Sequence, residues 1–144
     1  MTATVRPAPR RGVWEVPFWQ HVEERHLHLQ RCDPCGTVWY PPGPACPRCL
    51  STAWTWTAVA GSGELLSWVI FRRQYFPTIP PPYTVAAVAL AEGPILIADT
   101  GADPGGLAIG DRMHLVYRAV EDEDGEPFTL YGWEPDPTWK GTAS

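Results

Sequence analysis

From residue 53 onward, apolar and polar residues alternate in short runs separated by glycine, proline and acid. The runs cover 53–59 (AWTWTAV), 64–73 (ELLSWVIFRR), 83–91 (YTVAAVALA), 95–99 (ILIAD), 112–120 (RMHLVYRAV) and 128–133 (FTLYGW). A period of two over such lengths predicts β-strands. The breaks between them include Gly61-Ser62-Gly63, Glu92-Gly93-Pro94 and the acidic stretch 121–126. They leave no room for crossover helices, so a parallel α/β sheet is excluded and a small antiparallel barrel or sandwich is expected. Closing the sheet removes exposed edges, which favours a five- or six-stranded barrel of OB type. Residues 74–82 (QYFPTIPPP) form an extended proline-rich loop, and 101–110 a loop with one helical turn. One strand stands apart. Along 64–73, Leu66, Trp68 and Ile70 fall on one face and Leu65, Val69 and Phe71 on the other. A strand apolar on both faces is either buried on both or covered outside by a partner.

The first third of the chain reads differently. Residues 1–14 begin Pro/Arg-rich and carry no apolar period, so a disordered arm or linker is expected there. Pro17-Phe18-Trp19 opens a short helix, with Pro17 in the first turn. Phe18, Trp19, Val22 and His26 recur at three to four residues and predict one apolar helical face. His21, His26 and His28 read as surface or packing histidines. Residues 27–31 alternate and predict a strand, 38–40 a second, and Pro41-Pro42-Gly43-Pro44 the bend between them and Cys46.

All four cysteines lie in this region as two pairs, Cys32-Asp33-Pro34-Cys35 and Cys46-Pro47-Arg48-Cys49. Each pair sits among turn residues, and two such knuckles face four thiolates into a tetrahedron, the closed shell of a structural Zn²⁺. The competing reading is two Cys-x-x-Cys disulfides. A thioredoxin-like role needs one such motif beside a βαβ unit, and none is present. Four protein ligands leave no open position, so the metal holds shape and is not a Lewis acid. Arg31 and Arg48 flank the thiolates and are placed to offset their charge. The expected layout is a helix and ribbon over 15–52, a barrel over 53–134 and a tail over 135–144.

Composition narrows the function. Apolar residues make up 44% and charged residues 19%, which is globular and not disordered. No apolar run reaches the ~20 residues of a membrane helix. No signal peptide is visible, and metal-poised thiols then fit a reducing, cytoplasmic compartment. Residues 1–50 hold six Arg against four acids (+2), and 51–144 five bases against twelve acids (−7), net −5 in all. Zinc on four thiolates adds about two further negative charges. That balance opposes generic phosphate-backbone binding. There is no Gly-x-Ser-x-Gly elbow, no Walker loop and no His-Glu-x-x-His. The acidic stretch 121–126 lacks EF-hand spacing and reads as a solvated hairpin tip. The chain is therefore expected to bind or scaffold.

The ordered series Pro17-Phe18-Trp19, Leu29-Gln30-Arg31-Cys32-x-x-Cys35-Gly36, Pro41-Pro42, Cys46-Pro47-x-Cys49 and Gly61-Ser62-Gly63 resembles the DUF35 family. Pro82-Tyr83, Val88-Ala89-Leu90, Glu92-Gly93-Pro94 and Ile109-Gly110-Asp111 continue it, so the likeness spans about 15–134. Gly43 departs from it, because many members carry Arg after the double proline. The resemblance implies an N-terminal helix, a rubredoxin-like zinc ribbon held by Cys32, Cys35, Cys46 and Cys49, and an OB-fold. It also implies an acyl-CoA-associated accessory role. Members pair with thiolase-superfamily enzymes and, in steroid-degrading actinobacteria, with thiolase-like aldolases and MaoC-type hydratases. In that picture the chain is a non-catalytic subunit of a lyase complex that helps to receive an acyl-CoA.

Four residues are candidates for ligand contact on physical grounds. Arg72 and Arg73 end the long apolar strand, and arginine pairs bidentately with phosphate. Tyr75 and Phe76 follow at once and are suited to stack on adenine or line an acyl tunnel. The plain alternative is strand-end charges in water and aromatics that close the barrel end. The eight tryptophans suit interfaces. Two other functions compete: a single-stranded nucleic-acid module, since ribbons and OB-folds both occur there, and a free-standing acyl-CoA carrier or hydrolase.

Overall fold

The computed structural model describes residues 4–138. One helix, α1 (Glu15–Glu23), leads into β1 (His28–Cys32) and β2 (Val38–Trp39). Then come β3 (Trp54–Ala58), β4 (Ser62–Phe71), β5 (Tyr83–Leu90), β6 (Ile95–Thr100), β7 (Arg112–Glu121) and β8 (Pro127–Pro135). The strands form two sheets, a three-stranded ribbon ordered β2-β1-β3 and a closed barrel ordered β4-β5-β6-β8-β7. The expected mainly-β chain with helix, ribbon and five-stranded OB-type barrel is what folds. Residues 1–3 of the expected arm and 139–144 of the expected tail lie outside the described residues.

Several expectations need correction. Residues 53–59 alternate like the barrel strands, yet β3 pairs with β1 along its whole length, Leu29 opposite Thr57 and Arg31 opposite Thr55. β1 is otherwise bonded only to the two-residue β2, so its free edge takes the next strand in the chain. The barrel is not wholly antiparallel either. β6 and β8 run parallel and meet at one pair, Thr100 with Trp133. Trp133 is buried there, and its indole N–H donates to the Leu96 carbonyl at 3.1 Å.

β4 carries a bulge between Leu65 and Ser67, opposite Val88 and Ala87. The extra residue shifts the alternation, so Leu65 faces inward on the same side as Trp68 and Ile70, while Leu66 and Val69 lie exposed. The pairing also requires Gly63 to lack a side chain, because a Cβ there would run into the Ala89 carbonyl.

α1 closes one side of the barrel. Phe18 and Val22 are buried against the main core, and Glu23 accepts hydrogen bonds from the Thr129 backbone N–H (2.7 Å) and hydroxyl (3.2 Å). The helix stops at Arg25, whose φ of 59° is left-handed. There Arg25 N–H donates to Val22 carbonyl and His26 N–H to His21 carbonyl, a Schellman closure. His26 therefore leaves the predicted apolar face and is exposed.

The N-terminal segment is not a free arm over its described part. Glu121 N–H donates to the Thr4 carbonyl at 3.0 Å and Arg6 N–H to the Glu121 carbonyl at 2.8 Å, so Val5 extends the edge of β7. At the other end, Asp136 N–H donates to the Arg112 carbonyl, which ties the start of the expected tail to β7. No helix among the described residues is long and apolar enough to cross a membrane.

The three histidines meet where α1 packs on β1. The His21 and His28 rings stack at 3.7 Å, His26 lies 5.0 Å from His28, and His21 Nδ1 has no hydrogen-bond partner among the described residues. Its nearest carboxylate oxygen, on Glu24, is 3.9 Å away. Burial and the neighbouring His28 hold His21 below the usual imidazole range, partly opposed by Glu24. The unfolded chain therefore binds a proton at His21 more readily than the folded chain. Stability from this group is present above pH ~6.5 and is lost as pH falls through the lower folded value. Denaturant titrations at pH 7.5 and 6.0, at constant zinc content, are expected to show lower stability at 6.0, and His21→Gln to flatten that difference.

Candidate functional site

The ribbon builds its metal cradle from two matching turns. In the first, Cys32 N–H donates to the Thr37 carbonyl (2.8 Å) and Gly36 N–H to the Cys32 carbonyl (2.9 Å). In the second, Cys46 N–H donates to the Ser51 carbonyl (2.9 Å) and Leu50 N–H to the Cys46 carbonyl (2.9 Å). The fifth residue of each turn is left-handed, with φ of 74° at Gly36 and 64° at Leu50. Glycine meets that demand without strain in the first turn; an exposed leucine bears it in the second.

These turns bring all four cysteine sulfurs within 4.8 Å of one another. Cys32 and Cys49 Sγ are 3.4 Å apart, and Cys35 and Cys46 Sγ 3.7 Å. Both separations exceed an S–S bond of ~2.0 Å. They approach the edge of about 3.8 Å that a tetrahedron with Zn–S near 2.3 Å requires. All four cysteines are free, so the reading of two Cys-x-x-Cys disulfides is dropped, and the donor set fits zinc. The Thr37 hydroxyl and backbone N–H hold the Cys35 thiol down to about 6, so it is a thiolate at neutral pH. The Arg48 N–H approaches Cys46 Sγ at 3.4 Å, a contact that steadies a ligand sulfur. Trp39 and Trp54 pack around the buried Cys32 and Cys46. Behind them the buried Gln30 side chain clamps the Gly43 backbone at both N–H (2.8 Å) and carbonyl (2.7 Å). A Cβ at Gly43 would meet nothing within 4 Å, so a longer side chain has room there.

A second site lies at the far end of β4. The Phe71 ring stacks on Tyr83 at 4.9 Å, and Tyr75 stands edge-on to Phe71 at 5.9 Å. Across from them Trp19 of α1 stacks on Tyr131 of β8 at 5.7 Å. The Tyr131 hydroxyl lies 3.0 Å from that of Tyr40, and burial holds it far above the usual phenol range. Together these rings line a cavity of about 600 Å³ whose walls come from both sides of the β6–β8 seam. Arg6 stands at its edge and donates to the Thr78 carbonyl at 3.2 Å, which straps the 72–82 loop to the N-terminal segment. An adjoining hollow of about 500 Å³ is lined by Arg6, Arg72 and Arg118. Arg118 is committed there, with its Nη2 at 2.7 and 2.6 Å from the two Asp99 oxygens.

The four candidate contact residues thus share one region but not one pocket. Tyr75 and Phe76 line the aromatic cavity, and Arg72 lines the adjoining hollow. Arg73 belongs to neither lining; its guanidinium sits 5.8 Å from the Tyr75 ring centre, within cation–π range. Trp19, Tyr131 and Arg6 were not anticipated. Trp19 carried a helical-period signal, but nothing local in the chain paired it with Tyr131, and Arg6 sat in a segment without a period.

Comparison with known proteins agrees with both halves. The rubredoxin-like zinc ribbon domain of ChsH2 matches residues 19–55, and the ChsH2 C-terminal OB-fold domain matches 56–118. The chain is 37% identical over 120 residues to a probable enoyl-CoA hydratase alpha subunit of Thermomonospora curvata. It is 31% identical over 135 residues to the 3-oxo-4,17-pregnadiene-20-carboxyl-CoA hydratase alpha subunit of Mycobacterium tuberculosis. It spans only 37% and 41% of those two proteins. A DUF35 domain-containing scaffold protein of Methanothermobacter thermautotrophicus is 30% identical, with 85% of this chain and 95% of that one covered. A solved chain of an Ltp2-ChsH2(DUF35) aldolase superposes with a TM-score of 0.78 at 31% identity, over 89% of this chain and 98% of that one. With cysteine cradle, ribbon and barrel in the same order and nearly full-length relatives on both counts, this chain belongs to the DUF35 family.

Proposed function

We propose that this protein is a non-catalytic subunit that docks on a thiolase-superfamily enzyme, an aldolase cleaving a steroid side-chain acyl-CoA, and helps to hold the thioester at their shared face. The observation that carries this reading is the aromatic cavity with Arg6 at its edge and Arg72 in the adjoining hollow. Its described lining includes no histidine, cysteine or serine, and its one acid, Asp99, is tied to Arg118. Such a site binds a long apolar ligand with an anionic end and lacks a nucleophile–base pair to act on it. The likeness to a chain of an Ltp2-ChsH2(DUF35) aldolase supports the choice of partner. Relatives named as hydratase alpha subunits support a second assembly, with a MaoC-type hydratase.

Co-expression with a thiolase-like protein from the same genome should yield a stable complex whose acyl-CoA cleavage needs this chain; full activity of the partner alone rejects the proposal. Within that complex, Arg72→Ala and Tyr75→Ala are each expected to raise KM for the acyl-CoA by about tenfold, the loss of one charge-assisted contact or one stacking face. kcat should stay within about twofold, because uniform binding is removed. Calorimetry of the isolated chain with CoA esters separates this from a free carrier, which binds tightly without a partner. The −7 balance of residues 51–144 stands against the nucleic-acid reading.

A further inference from the structure

The outward faces of β4, β5 and β6 carry side chains in register rows. Glu64, Ala89 and Ile95 form one row, Ser67, Ala87 and Ile97 the next, and Val69, Val85 and Asp99 the third. The alternate positions, among them Leu65, Val88 and Leu96, are fully buried in the barrel. An antiparallel strand with one face in the core ordinarily turns polar residues outward. Here the outer face of β5 is Ala89, Ala87 and Val85, flanked by Val69 (54% exposed) on β4 and by Ile95 (52%) and Ile97 (60%) on β6. The result is a shallow apolar trough, floored by Ala89, Ala87 and Val85 and walled by Ile95 and Ile97 on β6 and by Val69, beyond Glu64 and Ser67, on β4. Two strand spacings set the walls about 10 Å apart. That is close to the ~10 Å diameter of an α-helix.

We infer that this trough is the seat of one amphipathic helix of the partner protein, laid along β5 with its apolar stripe on Ala87 and Ala89. A second copy of this chain does not fit the numbers. Three strands by about 20 Å present roughly 300 Å², well below the ~800 Å² each side contributes to a standard interface. Two molecules of net charge −5 also repel. A larger partner supplies the remaining area by running on from the trough over the aromatic cavity, since Val85 and Ile97 border both. Glu64, at the opposite end, has no ion-pair partner among the described residues. It favours a helix whose stripe is flanked by lysine or arginine. On this reading the docked helix is also one wall of the ligand cavity, which is complete only in the complex.

The inference rests on the proposed docking role, and the experiment keeps the two apart. The double variant Val69→Asp/Ile95→Asp changes two exposed residues that do not line the cavity. Ile109→Asp, more exposed (74%) and in the loop before β7, is the control. Each is co-expressed with the thiolase-like protein and with a MaoC-type hydratase from the same genome, and affinity is read by light-scattering chromatography and titration. The expected result is at least a hundredfold weaker complex for the double variant, unchanged binding for the control, and melting temperatures of both free chains near that of the wild type. Should the double variant unfold, Ile95→Gln takes its place with at least a tenfold loss expected. Binding within about threefold of wild type overturns the trough while leaving the proposed function standing. So does a wild-type homodimer that the double variant splits. If only the hydratase binds, the thiolase assignment fails, and the same variants decide the trough on that complex. If neither binds, both fail.

Discussion

Cys46→Ser is expected to abolish stoichiometric zinc and to unfold the ribbon at 25 °C. Cys46 is fully buried, and its sulfur is one corner of the four-thiol cluster. Beyond the β1–β3 pairing and the Gln30 clamp, little holds the two knuckles: their buried cluster is Cys32, Cys46 and Trp39 with Trp54 packed against it, and β2 is two residues long. Structural zinc contributes about 10–16 kcal/mol in small zinc-dependent folds, against a total stability of ~5–15 kcal/mol for an ordinary domain. Loss of one ligand therefore removes a term as large as the whole. Metal content by mass spectrometry, near-ultraviolet dichroism and EDTA titration of the wild type report the effect directly. Partner docking should fall with the fold, and turnover only after it. A serine variant that keeps one zinc per chain and melts within about 5 °C of wild type would contradict this account.

The second large effect is expected at Trp133. The indole is fully buried in the core, at the point where the barrel closes, and its N–H is bound to the Leu96 carbonyl. Removing a buried tryptophan side chain costs about 3–5 kcal/mol in transfer and cavity terms. The stranded carbonyl adds about 1–3 kcal/mol if water cannot reach it. For a chain of this length the melting temperature should drop by about 10–20 °C. Trp133→Phe separates the two causes: it restores most of the volume but not the donor, so its loss should be close to the hydrogen-bond part alone. Equal losses for Ala and Phe would mean that packing at the seam matters little.

Much of this architecture is legible in the chain because it is local. A period of two marks each strand, paired glycines and prolines mark the turns, and Cys-x-x-Cys knuckles are complete within five residues. What stayed hidden depends on contacts distant in sequence. β3 alternates like any barrel strand, and only the free edge of β1 draws it into the ribbon. Alternation puts Leu66 on one face with Trp68 and Ile70 until a bulge gives Leu65 that place. The arm at Val5 has no period of its own because it borrows its pairing from Glu121. Tyr75 and Phe76 were visible as an exposed aromatic pair, but Trp19 and Tyr131, which form the opposite wall of their cavity, are separated by more than a hundred residues.

The placement of β3 also bears on how this protein can be cut. Two recognised domains abut at residues 55 and 56, which is inside Trp54–Ala58. A scission there leaves β1 facing half a strand and strips the hydrogen bond from Val59 N–H to the Leu27 carbonyl. The smallest ribbon that satisfies its own backbone extends through Val59, and the strand pairing of the barrel begins at Gly61, whose carbonyl accepts from Leu115, although α1 still supplies Phe18 and Val22 to the barrel core. The natural joint is thus a two-residue step at Val59 and Ala60, and fragments or chimaeras that swap one half against another family member should be spliced at that joint.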